Sequence, residues 1–370
     1  MSISTIGLTT STADRKQRAG QRLILGLAGP SIRAEERELI RAIQPAGFIL
    51  FARNVEEPAQ VRELNRELRS LVRAATPALC SVDQEGGRVQ RIKAPATVWP
   101  PMLWLGNVGR AKLSAAVGRA MALELRAMDF DLDFAPVADI HSNPQNPVIG
   151  DRSFGPSAQR VIEQMLPYFL AMQEEGLIAC AKHFPGHGDT RTDSHLELPI
   201  VEEDPDRLME REIAPFAAAV RAGIGMVMTA HVLYPAFDEE WPATMSSRIL
   251  GGILRKKLGY GGVIVSDDLE MKAVRGRYPL DMQLQRATAA TVDLFLCCKE
   301  PQLQHEAWEC LIRLQEEDKV QDQLATDSFR RIQGMRERFL KDRPAAPELS
   351  LLGCPAHQDL VMQIRAEGAV

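Results

Sequence analysis

The residues best equipped for chemistry crowd into one stretch, residues 181–198, AKHFPGHGDTRTDSHLEL. It holds three of the chain's seven histidines (His183, His187 and His195) together with Asp189 and Asp193. The apolar run GLIACA just before it reads as a buried strand. That pattern stops at Lys182, and Pro185, Gly186 and Gly188 then impose irregular backbone. Three chemistries fit such a segment. His183, His187 and Asp189 could converge on a metal ion. Asp193, two residues before His195, could orient and charge-stabilise its imidazole for acid–base catalysis. The polar side chains could also do no more than hydrogen-bond one another and tie the loop together. Prolines and glycines deny the histidines a helical i, i+4 presentation, which weighs against the metal.

Around this segment the chain is an ordinary globular sequence. Its 370 residues are 45% hydrophobic and 25% charged, enough for one large α/β domain or two medium ones. A net charge of −5 with no basic run gives no general attraction for nucleic acid or an anionic membrane. The first twenty-odd residues lack the basic and apolar regions of a secretory signal, and no run of 18 apolar residues follows. The six cysteines show no CxxC spacing, and Cys80, Cys180, Cys297 and Cys298 sit in apolar runs. These features predict a reduced, cytoplasmic protein without structural disulfides.

The elements that must position the polar residues alternate regularly. Strand-like runs are RLILGLAG, AGFILFARN, PALCSVDQ, FDLDFAPVAD, GLIACAKHF, GMVMTAHVLY, GGVIVSDDLEM and VDLFLCC. Helical patterns lie between them over 31–43 (with Ser31 as N-cap), from 58, and over 113–128, 161–175, 207–222, 248–257 and 281–290. Two more helices are expected over 302–316 and 321–340. Eight βα repeats without a boundary linker predict a closed (β/α)8 barrel. The predicted organisation is a polar leader over 1–21, the barrel with C-terminal helices over 22–343, and a loose extension over 344–370 that could hold one short helix. No GxGxxG or GxxxxGK[ST] follows a strand, so nucleotide binding has no support.

In such a barrel the active site is built at the C-terminal ends of the strands. The third strand delivers Asp83, Gln84 and Glu85, with Arg88 and Arg91 beyond. The fourth delivers Asp139 and His141, and its loop carries Asp151 and Arg152. The fifth delivers Lys182 and His183, the sixth His231, and the seventh Ser266, Asp267 and Asp268. A single strand-end Asp is commonly a helix cap. Carboxylates, arginine and lysine at successive strand ends are instead the hydrogen-bonding set that a polyhydroxylated ligand such as a sugar requires.

The motifs FILFARN, DQEGGRVQR, DFAPVADI, GDRSFG, KHFPGHGDT with DSH, TAHVLYP and VSDDLEM together resemble glycoside hydrolase family 3, and within it the single-domain β-N-acetylhexosaminidase branch of NagZ type. The match covers about residues 22–300. The resemblance implies that Asp267 is the nucleophile, that His195 paired with Asp193 is the acid/base, and that Asp83, Arg91, Arg152, Lys182 and His183 bind the sugar. Asp268 is then structural, at the start of the following helix. Glu85 and Arg88 hold the third-strand loop, and His187 and His231 either brace loops or touch substrate. ATVDLFLCC departs from the family's GAD-like turn, placing Thr291 and Val292 where small residues are expected.

The resemblance thus implies a retaining exo-β-N-acetylglucosaminidase without cofactor or metal, acting on GlcNAc-1,6-anhydroMurNAc cell-wall fragments. It would be a monomer or homodimer whose only partner is a small carbohydrate, with neither nucleic acid nor membrane involved. The alternatives are a β-glucosidase of the same family, many of which draw the acid/base from a second domain, a metal-dependent hydrolase built on the histidine-rich loop, and a sugar-binding protein without catalysis.

Overall fold

The computed structural model describes residues 11–73, 77–190, 192 and 197–369. Eight parallel strands close into a barrel: β1 (Leu23–Gly26), β2 (Gly47–Leu50), β3 (Leu79–Val82), β6 (Leu132–Asp133), β7 (Ile178–Phe184), β8 (Met226–Thr229), β9 (Val263–Asp268) and β10 (Leu294–Cys297). A two-stranded antiparallel hairpin, β4 (Gln84–Gly86) and β5 (Val89–Gln90), springs from the end of β3. The barrel pairs β1 with both β2 and β10, so the eight repeats read from the sequence are the eight staves.

Side chains alternate along each stave because consecutive Cβ atoms point to opposite faces. Ile24, Ile49, Leu79, Leu132, Ile178, Cys180, Met226, Met228, Val263, Val265, Leu294 and Leu296 fill the barrel. Their neighbours Leu25, Phe48, Cys80, Val82, Ala179, Val227, Ile264 and Phe295 pack outward under the helices. The same inward cluster takes in Ile332, Met335 and Phe339 of the helix Lys319–Leu340, which therefore stoppers the N-terminal end of the barrel. Within that helix Arg336 donates to Gln21 Oε1 (2.7 Å) and to the Ala46 carbonyl (2.6 Å). Among the described residues, the helix leaves the C-terminal end of the barrel open for a ligand. All six cysteines are free.

Several elements differ from the sequence reading. Residues 12–20 of the expected leader form a helix, started by a reciprocal Ser11–Asp14 capping box and tied to the C-terminal helices by Arg18 on Asp322. Its polar composition hid it, since only Ala19 and Gly20 are buried. The one further helix allowed for in the C-terminal extension is present as Pro355–Gly368, but the segment is not loose: it packs on the helices Met102–Val108 and Ala111–Ala127 through His357 on Glu124 (2.8 Å). The helix expected from an N-cap at Ser31 begins at Ala34, because Glu36 accepts from the Arg33 backbone and sets the first turn there. The fourth strand pairs over two residues only, since Pro136 has no N–H to donate; Val137 then forms a single bridge to Lys182. The helix expected over 207–222 is broken into a turn at Pro205–Arg207, a π-helical turn Leu208–Glu212 and an α-helix Ala214–Arg221, and Arg248–Lys257 is π-helical.

Thr291 occupies the left-handed position after the helix Leu280–Ala289, at φ 75°. A β-branched residue is strained there. It is held by Arg255, which donates to the Thr291 hydroxyl (3.2 Å) and carbonyl (3.1 Å). Thr291→Gly should remove the strain and raise stability by roughly 1 kcal/mol, about 1–2 °C in Tm. A thermal melt that shows no gain would mean that the lost Arg255–hydroxyl bond outweighs it.

Candidate active site

Loops from six strands converge on a cavity of roughly 190 Å³ at the open end of the barrel. Its polar lining includes Asp83, Glu85, Arg91, Arg152, Lys182, His183, His187, Asp267 and Asp268, over an apolar side formed by Ile49, Phe51, Met228, Met271, Leu296 and Cys298. All of the described residues expected at the site therefore meet in one place. Asp193 and His195 lie outside the described residues.

One wall is a chain of ion pairs. Lys182 Nζ sits 2.8 Å from Asp83 Oδ1 and 2.6 Å from Glu85 Oε1. Arg152 grips both oxygens of Glu85, at 2.7 and 2.8 Å, and Arg91 lies 3.3 Å from Asp83 Oδ2. The β4–β5 hairpin makes this possible by turning Glu85 back over the barrel mouth. Gln84 locks it in place, donating to the Ile92 carbonyl and accepting from the Arg91 and Ile92 backbone. Burial alone would raise the Glu85 carboxyl, but Arg152 and Lys182 hold it far below the usual carboxylate range. Lys182 is likewise raised, because Asp83 and Glu85 outweigh its burial. Glu85 is thus more than a brace for its loop: it is a wall of the cavity and the shared counter-charge of two expected sugar ligands.

The cavity lining also carries Asp267, partly exposed, at the end of β9. Its Oδ1 accepts from the Asp268 backbone N–H (2.8 Å). Burial pushes its carboxyl up, but His183, His231, that N–H and Lys182 outweigh it and hold the group below the usual range. Asp268 behaves in the opposite sense. Burial and the nearby Glu270 raise it to about 7, while its side chain accepts from the Glu270 and Cys298 backbones at 3.1 and 3.4 Å. It braces the start of the next segment, as expected, and also borders the cavity.

Asp139 is the hub beneath the histidines. It accepts from the His183 backbone (3.1 Å to each oxygen), from His183 Nδ1 (2.7 Å) and from the His187 backbone (2.7 Å). His183 is thereby aimed at the cavity. His187 bonds Thr190 Oγ1 through Nδ1 (2.9 Å), and burial with the neighbouring His183 depresses it to about 4, so it is neutral at pH 7. His231 Nε2 donates to the Asp268 carbonyl (3.1 Å), bracing the end of β9. Asp189 pairs with Arg211 at 2.9 Å. The three groups of the metal reading thus turn to three different partners. Among the described residues, no group of three or more His, Cys, Asp or Glu is placed to hold a metal ion.

The root of the 181–198 loop is stapled from below. Asn146 donates to the carbonyls of His187 (2.9 Å), Gly188 (3.0 Å) and Thr190 (3.1 Å). Gly188 has no room for a side chain, since a Cβ there would stand 1.7 Å from the Ile140 carbonyl oxygen. Sequence reasoning assigned Asp139 no role and missed Asn146 and Phe51, the latter with the Arg53 and Arg91 guanidinium groups 4.5 and 5.5 Å from its ring. Asp139 stood among the strand-end carboxylates and could have been singled out; Asn146 lies in a loop with no local signal.

Residues 16–335 match the model of the glycosyl hydrolase family 3 N-terminal domain. The chain is similar to the β-hexosaminidase of Nitrosomonas eutropha (35% identical over 343 residues, 89% of this chain and 97% of that one) and to that of Glaesserella parasuis (39% over 280 residues, 75% and 81%). Among solved structures it resembles a family 3 β-N-acetylglucosaminidase from Paenibacillus sp. (TM-score 0.91, 38% identity, 95% of this chain and 68% of that one). It also resembles native NagZ from Neisseria gonorrhoeae (TM-score 0.79, 31% identity, 94% and 98%). With the barrel, the strand-end carboxylates and this match along most of its length, the chain belongs to glycosyl hydrolase family 3 and is a glycoside hydrolase.

Proposed function

We propose that the enzyme is a retaining exo-β-N-acetylglucosaminidase with Asp267 as its nucleophile. The observation that carries this reading is the Asp267 carboxylate, held below the usual range by His183, His231, the Asp268 N–H and Lys182, in a cavity on the scale of one sugar ring that the Asp83–Lys182–Glu85–Arg152 chain also lines. The ion-pair wall offers acceptors and donors fixed in advance for sugar hydroxyls, so binding requires little reorganisation. Asp83, Arg91, Arg152, Lys182 and His183 are the proposed sugar ligands.

In the first displacement Asp267 attacks the anomeric carbon, the glycosidic C–O bond breaks, and the leaving oxygen takes a proton from His195. In the second, water attacks the glycosyl ester while His195 accepts its proton, and the sugar leaves with its β configuration retained. Asp193 orients the imidazole and favours its cationic form. A histidine suits both steps because it titrates near neutrality. The relatives' names support GlcNAc as the sugar. The finer substrate we propose, GlcNAc linked to 1,6-anhydroMurNAc in cell-wall fragments, rests on the resemblance to the NagZ branch, as does action in the cytoplasm by a monomer or homodimer. No helix among the described residues is long and apolar enough to cross a membrane.

Release of nitrophenol from β-GlcNAc, β-GalNAc and β-glucose glycosides tests the reading. Turnover of the GlcNAc glycoside should resist chelation, and Asp267→Asn should lower it by on the order of 10³-fold or more. Turnover of glucose but not GlcNAc would overturn the substrate, and an active Asp267→Asn would overturn the nucleophile. A second expectation follows from charge. His183 helps hold Asp267 ionised, so His183→Gln should move the final acid limb of kcat/KM to higher pH. A limb that stays in place would remove His183 from that role.

A further inference from the structure

Glu212 is a buried carboxylate outside the cavity, only 1% exposed, at the end of the π-helical turn Leu208–Glu212. The Ile213 N–H reaches five residues back to the Leu208 carbonyl (3.0 Å), so the turn carries one residue more than an α-helix would. That residue puts Glu212 directly against Gly186, the first bend of the loop after β7. A Cβ on Gly186 would stand 2.8 Å from Glu212 Cβ and 3.1 Å from its carboxylate, and the glycine sits at φ 136°. The Tyr234 hydroxyl holds the Gly186 carbonyl from the other side. Arg211 bridges outward, with Nε on Glu212 Oε1 (2.7 Å) and Nη2 on Asp189 Oδ2 (2.9 Å). A carboxylate–guanidinium–carboxylate chain therefore joins the turn to the loop four residues before Asp193.

We propose that Glu212 is a positioning residue that, through Arg211 and Asp189, fixes the proximal root of the loop carrying Asp193 and His195. The inference rests on the acid/base role given to that loop above. A side chain needed only to fill this space would be apolar, because burying a charge is costly unless its pairing is used. The groups facing Glu212 are Arg211 on its own turn, Asp189 in the loop, Asp139 and the Ser142 hydroxyl from the fourth loop, and Tyr234 beyond β8. Burial raises the carboxyl to about 7 against the pull of Arg211. Above that pH the chain is fully charged and the root is held. Below it Glu212 is protonated and the grip on Arg211 weakens.

The test compares wild type with Glu212→Gln, which keeps the shape and removes the charge. On the nitrophenyl β-GlcNAc glycoside the wild-type to variant ratio of kcat should rise from near unity at about pH 5.5 to about tenfold at pH 8, with KM changed by less than about twofold. A ratio that is the same at every pH, or a loss carried by KM, would overturn the proposal and leave an ordinary packing role. Arg211→Gln reads the same chain should Glu212→Gln fail to fold. Without the guanidinium the link from Glu212 to Asp189 is cut, so the partial acid step in kcat should disappear, and a step that persists counts against the proposal. Tryptic cleavage at Arg191, followed at pH 8, is a readout independent of turnover. It should be about tenfold faster in Glu212→Gln, and equal rates would overturn the inference. The tenfold difference in cleavage in a wild type that does not turn over the β-GlcNAc glycoside would sink the proposed N-acetylglucosaminidase reading and leave the anchor standing.

Discussion

The ion-pair chain Asp83–Lys182–Glu85–Arg152 is the constraint on which the open end of the barrel depends. Lys182 and Glu85 are withdrawn from water, where an unpaired charge is expensive, and removing one partner of such a pair typically costs about 3–5 kcal/mol. Each group therefore demands the others, and the demand crosses three elements: the hairpin after β3, the loop after β6 and β7 itself. The loops cannot drift independently without breaking it. A set of oriented donors and acceptors then faces the cavity before any ligand arrives.

Apolar packing supplies the rigid frame for that chain. The inward residues of the staves and the stoppering helix Lys319–Leu340 fill the barrel from its N-terminal end, so the polar layer rests on a close-packed floor. Asp267 gains from this arrangement. Enclosed below and open only to the cavity, it feels His183, His231 and Lys182 through a medium that screens them little, and their combined effect exceeds the penalty of burial. Its neighbour Asp268, raised by burial and by the nearby Glu270, is pushed the other way. Two adjacent carboxylates thereby acquire different charge states near neutrality.

The histidine-rich loop is organised by a different principle. Its root to Thr190 is held by hydrogen bonds to backbone, Asn146 on three carbonyls, Asp139 on two N–H groups and Tyr234 on Gly186, together with the Arg211–Asp189 ion pair. On the far side Val201 and Leu233 rejoin the body through paired backbone bonds (Val201 N to Leu233 O, 3.0 Å; Leu233 N to Pro199 O, 2.9 Å). Such backbone staples define where a loop starts and ends, and of the loop's own side chains Asp189 adds an ion pair to them. A segment anchored this way can carry titratable groups to a substrate and still belong to the scaffold.

The eight staves, the barrel class and the residues at the strand ends were determined by the sequence itself, because alternation and βα rhythm are local signals with fixed periods. The motifs around Asp83, Lys182–His183 and Asp267 were legible for the same reason, each directly following an apolar run. The tertiary structure alone decided which of those residues touch. Glu85 meets Arg152 across 67 residues and His183 meets Asp139 across 44, separations at which no spacing rule operates. Helices with little apolar periodicity, Thr12–Gly20 and Pro355–Gly368, were likewise set by docking partners rather than by pattern. The π-helical turn that carries Glu212 under Gly186 has no sequence signature, since the extra residue is tolerated only where a neighbouring backbone leaves it room.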